Sequence, residues 1–170
     1  AGMYGYLTPA GGVTTEPLLG SVAAHLTAGI GQLVAPGDKL TIGLDPHPDT
    51  PSTILKSEER LTGGNIRVMP GPQTGLFEQA TRDRFFKTSF TRSRTGNRQG
   101  VRLEFDGAPF ASGTGDLASD IIQAGDVQMT GEGVPYVLLT ECQTMGGYPR
   151  IGTVVAQDLP RVAQATPGTH

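Results

Sequence analysis

Between Glu141 and Arg150 the chain gathers a carboxylate, an amide, a hydroxyl, a phenol and a guanidinium, on Glu141, Gln143, Thr144, Tyr148 and Arg150. Gln143 and Thr144 each carry both hydrogen-bond donors and acceptors. Gly146 and Gly147 in their midst permit positive φ and let a ligand or a neighbouring segment approach the backbone closely. A plain strand connection does not need that inventory, although the same residues also read as one, with Arg150 solvated and Thr144 capping a turn. A second group stands upstream in N-R-Q-G-V-R at 97–102. The segment 93–105 reads as a polar loop that changes into an alternating strand, so Arg98 falls in the loop at the strand mouth and Arg102 alternates away from Val101, Leu103 and Phe105. Either guanidinium could hold a carboxylate or phosphate with two hydrogen bonds, and either could equally be a solvated partner of Glu104 or Asp106.

The elements that must position these groups are strands. Residues 136–139 and 151–155 are short apolar runs on either side of the glycine-bearing loop, and 66–69 alternates before Pro70 stops it. Short strands are also expected over 4–13, 17–21, 26–31 and 33–40, with a type II turn at Pro36-Gly37. The three prolines of 45–58 make that stretch an exposed excursion, and 113–116 reads as a loose turn. One helix is expected from Gly75 to about Lys87, capped by Thr74 and striped by Leu76, Phe77, Ala80, Arg84 and Phe85. A shorter one is expected after Asp158, which can cap it, with Pro160 in its first turn.

With 25 Gly and 13 Pro in 170 residues, the composition favours a mainly β chain of many short strands over long helices. The length suits a single domain with one real core. A net charge of −3 and basic residues without interleaved aromatics exclude a nucleic-acid surface. No apolar run approaches a membrane span and no signal peptide is recognisable, so a soluble, cytoplasmic protein is expected. Cys142 stands alone and is read as a small buried hydrophobe rather than a nucleophile. Three scattered histidines make zinc improbable, and there is no phosphate loop and no G-x-S-x-G elbow.

Six ordered blocks resemble one family along almost the whole chain: A-G-G-V at 10–13, P-L-L-G-S at 17–21, L-T-A-G-I-G at 26–31, I-R-V-M-P-G-P-Q at 66–73, N-R-Q-G-V-R-L at 97–103 and Q-T-M-G-G-Y-P-R-I-G-T-V at 143–154. The family is the biotin-dependent carboxyltransferases called allophanate hydrolase subunit 2, which includes KipA and the C subunit of bacterial 5-oxoprolinase. The resemblance implies a cyclophilin-like β-barrel with one or two short helices, in a subunit of an ATP-dependent amide-processing assembly. The KipI-like B and lactam-opening A subunits would be its partners, in the opening of 5-oxoproline to glutamate. The alternatives it carries are carboxyl transfer from carboxybiotin to urea or a related amide, and a KipA-type regulatory protein that binds a KipI-like kinase inhibitor. No cofactor is expected in this chain: ATP would sit on the complex and biotin in trans. Position by position, the resemblance points to Arg98, Arg102, Gln143 and Thr144 as catalytic. It points to Asn97, Gly100, Glu141, Gly146, Gly147, Tyr148 and Arg150 as substrate-binding. Glu141-Cys142 departs from the Asp-Arg or Asp-Gly that often precedes Gln-Thr. The chain is expected to be the later part of a longer family member.

Overall fold

The apolar runs at 66–69, 136–139 and 151–155 become strands as expected, whereas the strands expected over 4–13, 17–21, 26–31 and 33–40 are reduced to isolated bridges and a 3-10 turn. The computed structural model describes residues 2–56, 58, 61, 63–111 and 117–170. They divide into two compact units, one of Ala1–Tyr4 with Ser57–His170 and the other Gly5–Lys56.

In the first unit the elements run β1 (Val68–Met69), α1 (Gln79–Lys87), β2 (Thr91–Gly96), β3 (Gly100–Glu104), β4 (Asp120–Ile121), β5 (Asp126–Met129), β6 (Pro135–Leu138), β7 (Met145–Gly146), β8 (Arg150–Val154) and α2 (Leu159–Gln164). The fold is mainly β with two short helices. Six strands form an antiparallel sheet in the order β1-β8-β5-β6-β3-β2, and β4 pairs with β7 in a separate ribbon. Residues 168–170 bond to β2 and to the segment that leads into β1. Thr169 O accepts from Arg92 N at 2.9 Å, Arg92 O accepts from Gly168 N at 2.9 Å, and His170 O accepts from Gly64 N at 3.1 Å.

The core is built on Phe77, Phe85, Val127, Met129, Val137, Ile151, Val154 and Val162, with Phe110 stacked among Phe85, Phe90 and Phe105. Each such side chain contributes roughly 1.5–3 kcal/mol by leaving water. All four residues of β5 are buried. Val127 and Met129 belong to the core, so strand alternation turns Asp126 and Gln128 to the other face.

β8 carries an irregularity that alternation alone does not foretell. Val127 pairs with Gly152 but Gln128 pairs with Arg150, so Ile151 is an extra residue in the ladder. Such a bulge shifts the side-chain phase. It allows Arg150 and Thr153, three apart, both to reach Asp126.

Three sequence expectations change here. The helix begins at Gln79, not Gly75: Thr74–Leu76 is a 3-10 turn, and Phe77 is extended and 1% exposed. Burying Phe77 outweighs continuing the helix, and Thr74 instead donates to Ile151 O at 2.9 Å and accepts from Gly71 N at 2.8 Å. Asp158 precedes α2 without capping it, because its carboxylate is taken by Arg67. The basic stretch at 93–96 is strand rather than loop, paired in β2 with β3.

The second unit has less regular structure than its apolar blocks suggest. Among its described residues are a 3-10 turn at Leu26–Ala28 and isolated bridges between Val13 and Ile42, Leu18 and Ser21, and His25 and Ile30. The turn at Pro36-Gly37 forms as expected, with Gly37 at φ 98° and Asp38 N donating to Ala35 O at 3.0 Å. Residues 45–56 are exposed. The loose turn expected at 113–116 lies outside the described residues. No helix among the described residues is long and apolar enough to cross a membrane.

Candidate functional site

The 97–102 block is the tip and returning strand of the β2–β3 hairpin. Asn97 closes the tip: its N–H donates to Gly100 O at 3.0 Å, and its Oδ1 accepts from Gln99 N at 2.8 Å. Gly100 lies opposite Leu138, where a Cβ would stand 3.2 Å from Val137 O. Beyond β6 the pairing continues, with Leu139 N donating to Gln99 O at 2.9 Å and Glu141 N to Arg98 O at 3.0 Å. Backbone pairing thus sets Glu141 beside Arg98, and Arg98 Nε meets Glu141 Oε1 at 3.0 Å. The two side chains are 63% and 51% exposed. An ion pair that open to water is worth little, so exchanging Glu141 for an incoming carboxylate costs little. Arg102 lies on β3 opposite Tyr136, and its Nε is buried without a partner among the described residues.

Arg150 is held quite differently. Its side chain is 13% exposed. Nη2 pairs with Asp120 Oδ2, and Nη1 lies 3.3 Å from Asp126 Oδ2 and also donates to Ile121 O. Nε donates to Gln73 Oε1 at 3.3 Å. Gln73 in turn donates to Asp120 Oδ2 at 3.1 Å, while Asp126 Oδ1 accepts from Thr153 Oγ1 at 2.7 Å. The Ile121 N–H and the Arg150 guanidinium hold the Asp120 carboxyl below its ordinary range. Arg150 therefore ties β8 to β4 and β5, with its fork already filled.

Gly146 is in β7 opposite Asp120, and a Cβ there would lie 2.9 Å from Gln128 Nε2. Neither Gly146 nor Gly147 adopts a positive φ. What the pair provides is close approach, not the conformational freedom anticipated from their type. Gln143, Thr144 and Tyr148 are exposed, and Thr144 O accepts from Ile122 N at 3.1 Å. Burial, and then the Asp126 charge, push the Cys142 thiol up, which disfavours the thiolate a nucleophile needs.

Asn97, Arg98, Gly100 and Glu141 are thus brought together at one end of β3 and β6, while Gly146 and Arg150 pack against β4 and β5. A cavity of about 530 Å³ elsewhere in this unit is lined by none of the candidate residues. Sequence reasoning did not single out Gln73, Asp120, Asp126 or Thr153. Of these, Gln73 and Thr153 carried a signal, as members of the I-R-V-M-P-G-P-Q and Q-T-M-G-G-Y-P-R-I-G-T-V blocks.

The carboxyltransferase domain, subdomains A and B, matches residues 1–170. The chain belongs to that family. Within it, the chain is similar to the 5-oxoprolinase C subunit of Escherichia coli K12, with 36% identity over 169 residues, covering 96% of this chain and 53% of that protein. It is similar to the 5-oxoprolinase C subunit of Haemophilus influenzae Rd, with 30% identity over 176 residues, covering 99% of this chain and 54% of that protein. This carboxyltransferase-family chain thus spans about half the length of the curated relatives it matches. The crystal structure of TTHA0988 superposes with a TM-score of 0.75 and 30% identity, covering 94% of this chain and 30% of that one.

Proposed function

We propose that this chain works as part of a 5-oxoprolinase C subunit, in an ATP-dependent assembly that opens 5-oxoproline to glutamate. The observation that carries the reading is the 36% identity to the Escherichia coli protein along 96% of the chain. The geometry supports it with an exposed guanidinium in a rigid hairpin, paired with one equally exposed carboxylate. In this reading Arg98 takes the substrate carboxylate from Glu141. The backbone bonds from Leu139 and Glu141 to the hairpin tip hold it at one height above β3 and β6. Gln143 and Thr144 hydrogen-bond the lactam amide. Arg150 acts by holding β4, β5 and β8 in place, since its fork is committed within the chain.

The residues at this site do not fit ATP. Arg98 is the one cation beside Glu141 in the hairpin-tip group, too little for a triphosphate, and no group of three or more His, Cys, Asp or Glu suited to a metal ion occurs among the described residues. Nucleotide binding belongs to the partners in this proposal, the KipI-like B and lactam-opening A subunits.

The test is glutamate formation from 5-oxoproline and ATP by the reconstituted assembly. Arg98→Ala removes a charge-assisted hydrogen bond worth about 1.5–3 kcal/mol, so kcat/KM for 5-oxoproline should fall roughly ten- to a hundredfold with the sheet intact. Wild-type turnover in that variant would remove Arg98 from the mechanism. ADP release stimulated by urea and dependent on bicarbonate, in place of glutamate formation, would assign the assembly to carboxyl transfer instead.

A further inference from the structure

Strand register lines up three polar side chains on one face of the six-stranded sheet: Arg102 of β3 lies opposite Tyr136 of β6, and Tyr136 lies opposite Gln128 of β5. Partners across a ladder share a face. One position along each strand, Val101, Val137 and Val127 pair on the buried side, so the polar row is on the side turned away from the core. None of the three is spent. The Arg102 guanidinium, the Tyr136 hydroxyl and the Gln128 amide have no hydrogen-bond or ion-pair partner among the described residues. Glu104 shares the face with Arg102, but its Oε1 accepts from Ser93 Oγ at 2.5 Å and it makes no ion pair with the guanidinium. Asp126, on the Gln128 side, is taken by Arg150 and Thr153.

Gln128 is 8% exposed, and an amide that buried is ordinarily bonded. Strands on both sides cover its backbone, so the surface it keeps belongs to the side chain. Arg102 and Tyr136 are half-buried. Of the unpartnered side-chain atoms in the row, only Arg102 Nε is sealed from solvent, which leaves both Nη groups, the hydroxyl and the amide to meet a ligand. β7 walls the Gln128 end, where a Cβ on Gly146 would stand 2.9 Å from Nε2. The row thus offers an uncompensated positive charge at one end and a paired donor and acceptor at the other. A carboxylate answers the first and an amide the second. The two ends are two strand spacings apart, about 9.6 Å, and two hydrogen bonds of about 2.9 Å leave roughly 4 Å between the ligand's terminal groups. That is the span of a short hydrocarbon spacer.

We propose that Arg102, Tyr136 and Gln128 form a binding site for a small carboxylate that also carries an amide, the carboxylate on the Arg102 Nη groups, the amide on Gln128 and the Tyr136 hydroxyl between them. The site uses none of Arg98, Glu141, Gln143 and Thr144, so its failure leaves the activity proposed above standing.

Titration of the full chain with succinamate, followed by calorimetry and by the side-chain NH2 signal of Gln128 in nitrogen-edited NMR spectra, tests the proposal. Butyrate, which lacks the amide, and butyramide, which lacks the charge, are titrated in parallel. Succinamate should bind at one per chain, shift the Gln128 signal, and bind roughly tenfold more tightly than either, the weight of one lost hydrogen-bonding group. Gln128→Met should bring succinamate down to the affinity of butyrate, and Arg102→Met down to that of butyramide. Equal binding of succinamate and butyrate by the wild-type chain would overturn the proposal, as would no binding of succinamate. Both are read on the unaltered protein, whether or not the variants fold. Loss of succinamate binding in Arg98→Ala would place the ligand at the hairpin tip and overturn it equally.

Discussion

Removing the Arg150 guanidinium would leave Asp126, 3% exposed, with hydrogen bonds from Thr153 and Gln123 but no counter-charge among the described residues. Breaking a buried pair from one side costs about 3–5 kcal/mol, because the charge left behind is no longer compensated. Arg150→Ala is therefore expected to lower the denaturant midpoint by an amount equivalent to about 3 kcal/mol. Arg150→Lys should recover only part of it, since an ammonium cannot reach Gln73, Asp120 and Asp126 from one planar group. Urea unfolding of the three proteins measures this, and a wild-type midpoint for Arg150→Ala would mean that the network holds nothing together. Arg98 is the same residue type in the opposite situation. It lies in the open with one exposed partner, and its loss should be read in turnover rather than in stability. Residue type alone marked both arginines as candidates. Burial and the number of partners separate them, and both depend on contacts from distant parts of the chain.

At the level of elements, the strands at 135–138 and 150–154 were legible because apolar periodicity is local. The bulge at Ile151 was not, since it is a property of the pairing between β5 and β8 and leaves no mark on either strand read singly. For the same reason the helix after Pro72 was placed correctly but started too early. A 3-10 turn and an α-helix share the same first residues, and only the pocket for Phe77 tells them apart. Asp158 before α2 had the composition of a cap, yet it clamps the approach to β1: Arg67 N donates to Asp158 Oδ2 at 2.8 Å in addition to the two guanidinium bonds. These bonds hold the Asp158 carboxyl well below the usual carboxylate range, the Arg67 side chain being the largest cause. A depressed folded-state value means that the stabilisation is fully present above the unfolded-state value near 4 and is lost as pH falls below it. Asp158→Asn should consequently be less stable than wild type at pH 7, and the gap should narrow as the pH drops from about 4 toward 2. Urea midpoints at pH 7, 5 and 3 follow this, and a gap as wide at pH 3 as at pH 7 would contradict it.

Across the whole molecule the two units differ in how their backbones are satisfied, and that difference sets where the chain opens. In the larger unit β5 is paired on both sides, by β6 and β8, and β6 is paired by β5 and β3. Their amides are freed only when the sheet itself comes apart, so their exchange reports global stability. At an ordinary domain stability of at least 5 kcal/mol, that is protection of about 10⁴ or more. In Gly5–Lys56 the hydrogen bonds are turn bonds and isolated bridges, and Leu44, Ile54 and Leu55 are 94%, 97% and 86% exposed. Apolar side chains left in water contribute nothing to holding their own backbone closed. Native-state hydrogen exchange should therefore show β5 and β6 as the slowest amides and residues 44–56 near the rate of an unstructured peptide. An intermediate class should appear at the Val13–Ile42 bridge, where Thr14 N donates to Thr41 O at 2.8 Å. Uniform protection across both units would mean that they unfold as one cooperative body, and the regularity of the sheet would then say nothing about which part of the chain opens first.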